Sequence, residues 1–399
     1  MKKTVALSLA TVAVLNASSI EDVFGDGKVS GEIRTAYINQ NNKVDTDTYG
    51  TSVGGILKYE TAPWNDLKLG IGAYGSQKLN FATGDFDEGR ANPDLFGKDT
   101  HSFAYIGEAY LDYSIDDVTL RVGRQLIDIP FADTDDIRMH PNSFEAAMIT
   151  YKGVEETALI GGYISRWAGY DSGNDISKFK KMAPGSNGAV VVGISNESLD
   201  NIELNGWYYG IDKLSDIFYG DAKYTMEFGE VGSLELIGQL ARFNEKNNSD
   251  VDGNIYGVGV NLSMGMFTLG AEYNKAFNAG GKHIISGFGN GPYVVDTEEV
   301  DLDDFEDVNV YQFNAEADMG DIDLKDVTLF ASYSKFKSAP DNTEADEIDL
   351  IARYKVTEAL NAEVNYVVVN DKNKNLGNNG TNDYNGGYNR FLVRINYNF

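Results

Sequence analysis

The sequence predicts an all-β fold: a transmembrane antiparallel β-barrel of about 18 strands, with short turns at one end and long loops at the other. Three observations predict it. Stretches of about ten residues, the length a tilted strand needs to cross a bilayer, alternate between apolar and polar along most of the chain. The connections between them alternate short and long. The chain also ends on an unbroken alternation, with Phe391, Val393, Ile395, Tyr397 and Phe399 on one face and Leu392, Arg394, Asn396 and Asn398 on the other. In hydrocarbon every backbone N–H and C=O needs a partner, so a membrane-crossing sheet must close on itself. Period-two alternation then puts one face on lipid and the other on a wet lumen.

The chain opens on a leader. Lys2 and Lys3 form a charged start, residues 4–15 an apolar run, and Ala17, Ser18 and Ser19 supply small residues for cleavage after Ser19. Residues 1–19 therefore read as a secretory signal and 20–399 as a single barrel domain. The apolar run is too short to span a bilayer, and nothing later reaches about 18 apolar residues. The first strand is expected over 28–38, where Val29, Ile33 and Tyr37 oppose Ser30, Glu32 and Arg34. Strands follow at 49–59, 67–79, 102–114, 118–125, 143–151, 157–166, 189–195 and 202–210. The second half continues with 216–228, 232–244, 254–263, 266–276, 309–318, 327–336, 347–354, 360–369 and 388–398. Short connections such as Asp116-Asp117, 152–155, 229–231, Gly265 and 356–358 fall between long ones at 80–101, 126–142, 167–188, 245–253, 277–308, 337–346 and 370–387. A soluble sandwich has no such phase. The long loops recur at one phase, so they do not divide the chain into domains.

Composition agrees. Hydrophobic residues make up 42% and mean hydropathy is −0.32, too polar for a helical membrane protein but suited to strands with one wet face. Gly (43), Tyr (24) and Phe (20) are plentiful and Pro (7) is scarce, as long strands and interfacial aromatic belts require. Cys is absent, which excludes disulfides, thiolate nucleophiles and Cys-based zinc sites. The three histidines, His101, His140 and His283, lie far apart and read as rim or loop residues rather than ligands. A net charge of −28 repels nucleic acid and attracts cations.

The segment after the fifth strand, 123–145, carries two prolines and opposed charges: Arg124, Asp128, Asp133, Asp135, Asp136, Arg138 and Glu145. On the strands, parity puts Arg34, Arg121, Arg353, Arg390 and Arg394 on one face with Glu32 and Asp349, and their neighbours Ile33, Val122, Ala352, Phe391 and Val393 on the other. An Arg facing lipid at mid-bilayer costs about 2–4 kcal/mol, so the charged face is the lumen wall. These arginines form either a continuous ladder or separate cross-strand ion pairs. The acids at 248–254 and Asp301, Asp303 and Asp304 offer hard oxygens, but neither run fits a twelve-residue calcium loop, and solvated loops are the simpler reading. No nucleophile elbow, phosphate loop or His-Glu-x-x-His motif occurs, so no enzyme is expected.

The run from Gly123-Arg124-Gln125 through Pro130-Phe131-Ala132-Asp133-Thr134-Asp135 and Arg138 to Pro141-Asn142-Ser143-Phe144-Glu145 resembles the OprD-like outer membrane porins, and among them most closely the Campylobacter-type major outer membrane proteins. The resemblance implies an 18-stranded barrel in the bacterial outer membrane with periplasmic turns and extracellular loops, one of which, 126–142, folds into the lumen. It implies a homotrimer passing small hydrophilic solutes and ions, embedded in outer-membrane lipid. It also implies a carboxy-terminal Phe399 with Tyr397 that the barrel assembly machinery reads. Better-studied OprD members carry an arginine ladder and take carboxylate-bearing solutes. The Campylobacter-type members are general, cation-favouring pores that can hold Ca2+. The expectation is thus a passive, cation-favouring porin whose selectivity is set at the inward loop. The alternatives are a channel selective for carboxylates or amino acids, and a barrel acting through its loops as an adhesin or envelope structural protein.

Overall fold

The computed structural model describes residues 19–399 apart from 174, 279, 323, 341 and 374–385, so the expected leader lies, Ser19 aside, outside the described residues. The chain runs through β1 (Lys28–Asn42), β2 (Thr48–Glu60), β3 (Leu67–Lys78), β4 (Phe103–Ile115), β5 (Val118–Gln125), β6 (Ser143–Val154) and β7 (Thr157–Ala168). After the two-residue β8 (Lys180–Lys181) come β9 (Ala189–Leu199), β10 (Ile202–Ile211), β11 (Ser215–Glu227), β12 (Gly232–Glu245), β13 (Gly253–Met264) and β14 (Phe267–Phe277). The ring finishes with β15 (Val308–Asp318), β16 (Val327–Ser338), β17 (Thr343–Lys355), β18 (Leu360–Asp371) and β19 (Tyr388–Asn398). β8 lies beside β7; the other eighteen strands pair antiparallel in chain order, and β1 pairs with both β2 and β19. Thr35 therefore sits between Val53 and Ile395, and the sheet has no edge. The last residue completes the seam, since Phe399 and Gly31 exchange both backbone hydrogen bonds, at 3.0 and 3.1 Å. No described helix is long and apolar enough to cross a membrane.

The strand pattern becomes a wall with two faces. Leu240, Val258, Leu269 and Phe313 point outward and are 54–62% exposed, an apolar surface of the kind that faces lipid. Exposed Tyr113, Tyr151, Tyr354, Tyr397 and Phe399 cluster near the short-turn rim. Rings there sit at the level of the headgroups. The tightest turns, Asp116-Asp117, Glu155-Glu156, Asp200-Asn201 and Gly265-Met266, hold Asp116, Glu156, Asn201 and Gly265 at φ between 47° and 62°. Two-residue hairpins favour such left-handed residues because their twist matches that of the strands.

The strands extend past the expected ones mainly at the loop rim. β1 continues to Asn42, and its ladder to β19 runs as far as Asn42 opposite Tyr388. Alternation fades there because the outward face has left the lipid, but backbone pairing continues. For the same reason the expected long connection 337–346 shrinks to 339–342, and the loop-rim connection 212–214 is only three residues.

A charge placed outward at mid-wall is the test of this orientation. Val258→Arg is expected to lower stability in lipid vesicles by about 2–4 kcal/mol, read from the urea midpoint of heat-modifiable migration. Asn261→Arg, on the lumen side of the same strand, is expected to leave that midpoint nearly unchanged.

Candidate functional site

An eighteen-strand ring is too wide for wall side chains to fill, and here loops enter it. The 126–142 segment turns inward at Pro130 and is braced by Asp128, whose carboxylate accepts from the Thr134 amide (3.2 Å) and hydroxyl (2.5 Å). Phe131 is its anchor. It is fully buried, with ring centroids of Tyr209, Tyr219, Phe243 and Tyr293 at 5.6–6.1 Å, all edge-on. The Tyr209 hydroxyl donates to the Pro130 carbonyl. On the opposite flank Arg34 grips the loop with two hydrogen bonds to the Asp136 carboxylate (2.5 and 2.7 Å) and one to the Arg138 carbonyl (2.7 Å). Arg394 donates to the Asp136 carbonyl at 2.5 Å.

A second loop, 278–307, also folds inward, where the sequence reading expected a surface loop. The reason is its apolar content: Ile284, Phe288, Tyr293, Val295, Val300, Leu302 and Phe305 are buried. Phe288 joins the first loop by backbone hydrogen bonds to Phe131 (3.0 Å) and Asp133 (3.1 Å). Gly287 and Gly289 permit this approach. Both have φ above 110°, and a Cβ at Gly289 would fall 2.2 Å from the Asp133 carbonyl oxygen. The second loop is held to the wall by Glu347 of β17, whose carboxylate accepts from the successive amides of Glu298, Glu299 and Val300 at 2.8–2.9 Å. Arg138, fully buried, ties three loops together through Asp94 (3.4 Å), Glu299 (3.1 Å) and the ring of Tyr170 (4.4 Å).

The expected site residues divide. Asp128, Asp133, Asp135, Asp136 and Arg138 line the lumen, with Asp349, Arg353 and Arg394 on its wall. The other wall arginines face inward as parity requires but are consumed in pairs. Arg34 holds Glu32 (2.9 Å) as well as Asp136, Arg121 holds Asp112 (2.6 Å), and Arg390 holds Glu298 (3.1 Å) and Glu299. Arg353 and Arg394 share Glu363 at 2.9 and 2.6 Å. Discrete ion pairs, not a free ladder, are what the lumen contains.

Arg124 and Glu145 are a correction. They lie opposite each other on β5 and β6, 3.1 Å apart, on the face that carries exposed Leu120, Val122, Ile149 and Tyr151. That face is the outside of the barrel. The same parity that placed Val122 on lipid places Arg124 there, since both lie in the expected strand 118–125, and grouping Arg124 with the segment that follows the strand hid it. The possible calcium acids are likewise engaged elsewhere: Asp250 pairs with Lys282 (2.9 Å), Asp252 with Arg242 (3.3 Å), and Asp303 accepts from the Ser286 amide (3.0 Å). Among the described residues no group of three or more His, Asp and Glu is placed to hold a metal.

The lumen between the loops and the wall has a volume of about 2060 Å³. Among the described residues twenty carboxylate side chains line it against six lysines and arginines. Asp221, Glu235 and Glu272 come from one arc of the wall, β11, β12 and β14, while Arg353 and Arg394 come from another, β17 and β19. His140, at the end of the first loop, is buried in an aromatic cage of Tyr74, Phe103 and Tyr105 with centroids at 5.3–5.4 Å. That burial lowers its imidazole from 6.5 to about 4, although its Nδ1–H donates to the Pro141 carbonyl at 3.1 Å.

Residues 21–399 match the family model described as outer membrane porin, OprD family. No curated protein matches the sequence. Among solved structures, Pseudomonas aeruginosa OccK9 (OpdG) is 17% identical with a TM-score of 0.80, covering 95% of this chain and 100% of its own. Acinetobacter baumannii OccAB2 is 15% identical with a TM-score of 0.80 over 95% and 99%. P. aeruginosa OpdK, solved with vanillate, is 16% identical with a TM-score of 0.77 over 94% and 99%. At these identities the structures establish the shared barrel fold.

Two outcomes test the loop clamps. Glu347→Ala leaves three amides of the second loop without a partner, at roughly 1–3 kcal/mol each, so single-channel conductance is expected to rise and become noisier. For His140 the folded state protonates only near 4 while a released loop protonates below 6.5. Loop docking therefore has its full stability above pH 6.5 and loses it as pH falls toward 4. Open-channel noise is expected to grow across that window and to stay flat in His140→Phe.

Proposed function

We propose that this chain, which belongs to the OprD family of outer membrane porins, is a general diffusion channel for small hydrophilic solutes that favours cations over anions. One observation carries the cation preference: twenty carboxylates against six basic side chains on the lumen surface. Rings of one charge sign at a narrow passage raise the local concentration of the opposite ion and select by charge and size. Total charge alone would not support this, because loop acids outside the pore contribute to it. The constriction is assigned to Asp128, Asp133, Asp135, Asp136 and Arg138 of the first inward loop, facing the second inward loop. The same preference is what the resemblance to the Campylobacter-type major outer membrane proteins implies.

A carboxylate-selective channel is the second reading, favoured by the likeness to the OpdK structure solved with vanillate. It needs basic groups with charge to spare, and Arg34, Arg121, Arg353, Arg390 and Arg394 each already face a carboxylate within 3.1 Å. Insertion through the barrel assembly machinery is assigned to the exposed terminal rings of Tyr397 and Phe399. A homotrimer is part of the same reading, tested by native mass in mild detergent.

In a KCl gradient across a planar bilayer the reversal potential is expected to report preference for K+ over Cl−. The triple variant Asp221→Asn, Glu235→Gln, Glu272→Gln is expected to reduce that preference at least twofold. Uptake of a neutral sugar is expected to stay linear with concentration. Anion preference in the unmodified channel, or saturable uptake of a carboxylate abolished by Arg394→Ala, would reject the proposal.

A further inference from the structure

The outward face of the wall carries one charged row that the passage of solutes does not use. Arg124, Glu145, Arg166 and Lys181 are direct cross-strand partners, one after another across β5, β6, β7 and β8. Residues directly opposed in antiparallel strands share a face, and Arg124 shares its face with exposed Leu120 and Val122. The row is therefore on the lipid side, at the last step before the long loops 126–142 and 169–188. One step toward the membrane, the corresponding residues are Val122, Ala147, Tyr163 and Val190, all apolar or aromatic. The boundary between lipid chains and headgroups falls between the two rows.

The row holds three cations and one anion in a chain whose net charge is −28. Other outward basic residues on this rim have an acid of their own, as Arg242 has Asp252 and Lys275 has Asp307. Here a single carboxylate serves two arginines. Glu145 takes Arg124 at 3.1 Å and leaves Arg166 at 3.7 Å, with the Arg166 side chain 51% exposed. Arg124 is held in place by the Ile106 carbonyl (2.9 Å) and by the ring of Phe179, 4.3 Å from its guanidinium carbon. Lys181 is exposed and on the same face. Under the row lies a shallow cavity of about 400 Å³ lined by Val122, Arg124, Glu145, Ala147, Tyr163 and Ser165.

We propose that this row and cavity bind a phosphate-bearing lipid of the outer leaflet, with the phosphate on Arg166, Lys181 and Arg124 and an acyl chain along Val122, Ala147 and Tyr163. The match is chemical at both ends. A guanidinium fork with donors to spare suits a phosphate oxygen pair, basic clusters beside a membrane recruit anionic headgroups, and the apolar row continues the path of a chain. Outward arginines are tolerated at this depth because the cost of facing lipid vanishes near the interface. The proposal rests on the outer-membrane location.

The test uses the intact porin in mild detergent and native mass spectrometry with bisphosphorylated lipid A, its dephosphorylated form, phosphatidylglycerol and inorganic phosphate. Bisphosphorylated lipid A is expected to remain bound after collisional activation that strips the other lipids. Arg166→Gln with Lys181→Gln is expected to weaken that retention at least tenfold. Inorganic phosphate at millimolar concentration is expected to compete. Equal retention of dephosphorylated lipid A, or unchanged retention in the double variant, would overturn the site. Retention of phosphatidylglycerol equal to that of lipid A would overturn the choice of lipid. Neither residue lines the lumen, so unchanged conductance of the double variant shows that it folds, and loss of the lipid with conductance intact separates this proposal from the channel reading.

Discussion

Everything in this molecule depends on the absence of water on the outer side of the wall. A peptide group in hydrocarbon has no partner but another peptide group, so the sheet can end only by meeting its own beginning. The seam between β1 and β19, extended to the carboxy terminus by Gly31 and Phe399, is where that requirement is met. Closure with eighteen strands then imposes a consequence of its own. The ring encloses more space than its inward side chains can occupy, and an unobstructed tube of that width would not discriminate among small solutes. Narrowing has to come from the connections.

The two inward loops are held by different physics. The first is anchored at one side by burial of Phe131 in an aromatic cluster and at the other by Arg34 through Asp136. The second is hung from Glu347 by three successive backbone amides, a charge-assisted arrangement that fixes the position of the chain as well as its attachment. Arg138 and the Phe131–Phe288 backbone pair bind the loops to each other. Buried ion pairs of this kind add little net stability, since desolvation offsets most of their attraction. Their value is register: they hold the lumen acids at fixed positions.

The sequence carried the wall almost completely. Period-two alternation located all eighteen strands and assigned Arg34, Arg121, Arg353, Arg390 and Arg394 to the inner face, where they lie. It also held the signal that Arg124 faces outward, two residues beyond Val122. The loops were less legible. That 126–142 turns inward came from resemblance, and the apolar residues of 278–307 were the available sign that it does the same. What a sequence cannot show is which carboxylate meets which arginine. Arg34 and Asp136 are 102 positions apart, and Arg390 and Glu298 are 92 apart.

The primary structure by itself determined a closed, membrane-crossing barrel, its strand order and the sign of its overall charge, because these follow from local periodicity and composition. Tertiary structure alone decided that the arginines are neutralised while acids prevail on the lumen surface, that 278–307 folds inward beside 126–142, and that Arg124 and Glu145 belong to the outer wall. The physical reason is distance along the chain. Alternation is written in neighbouring residues, whereas the charge a solute meets is the balance left after partners from far-separated strands and loops have paired.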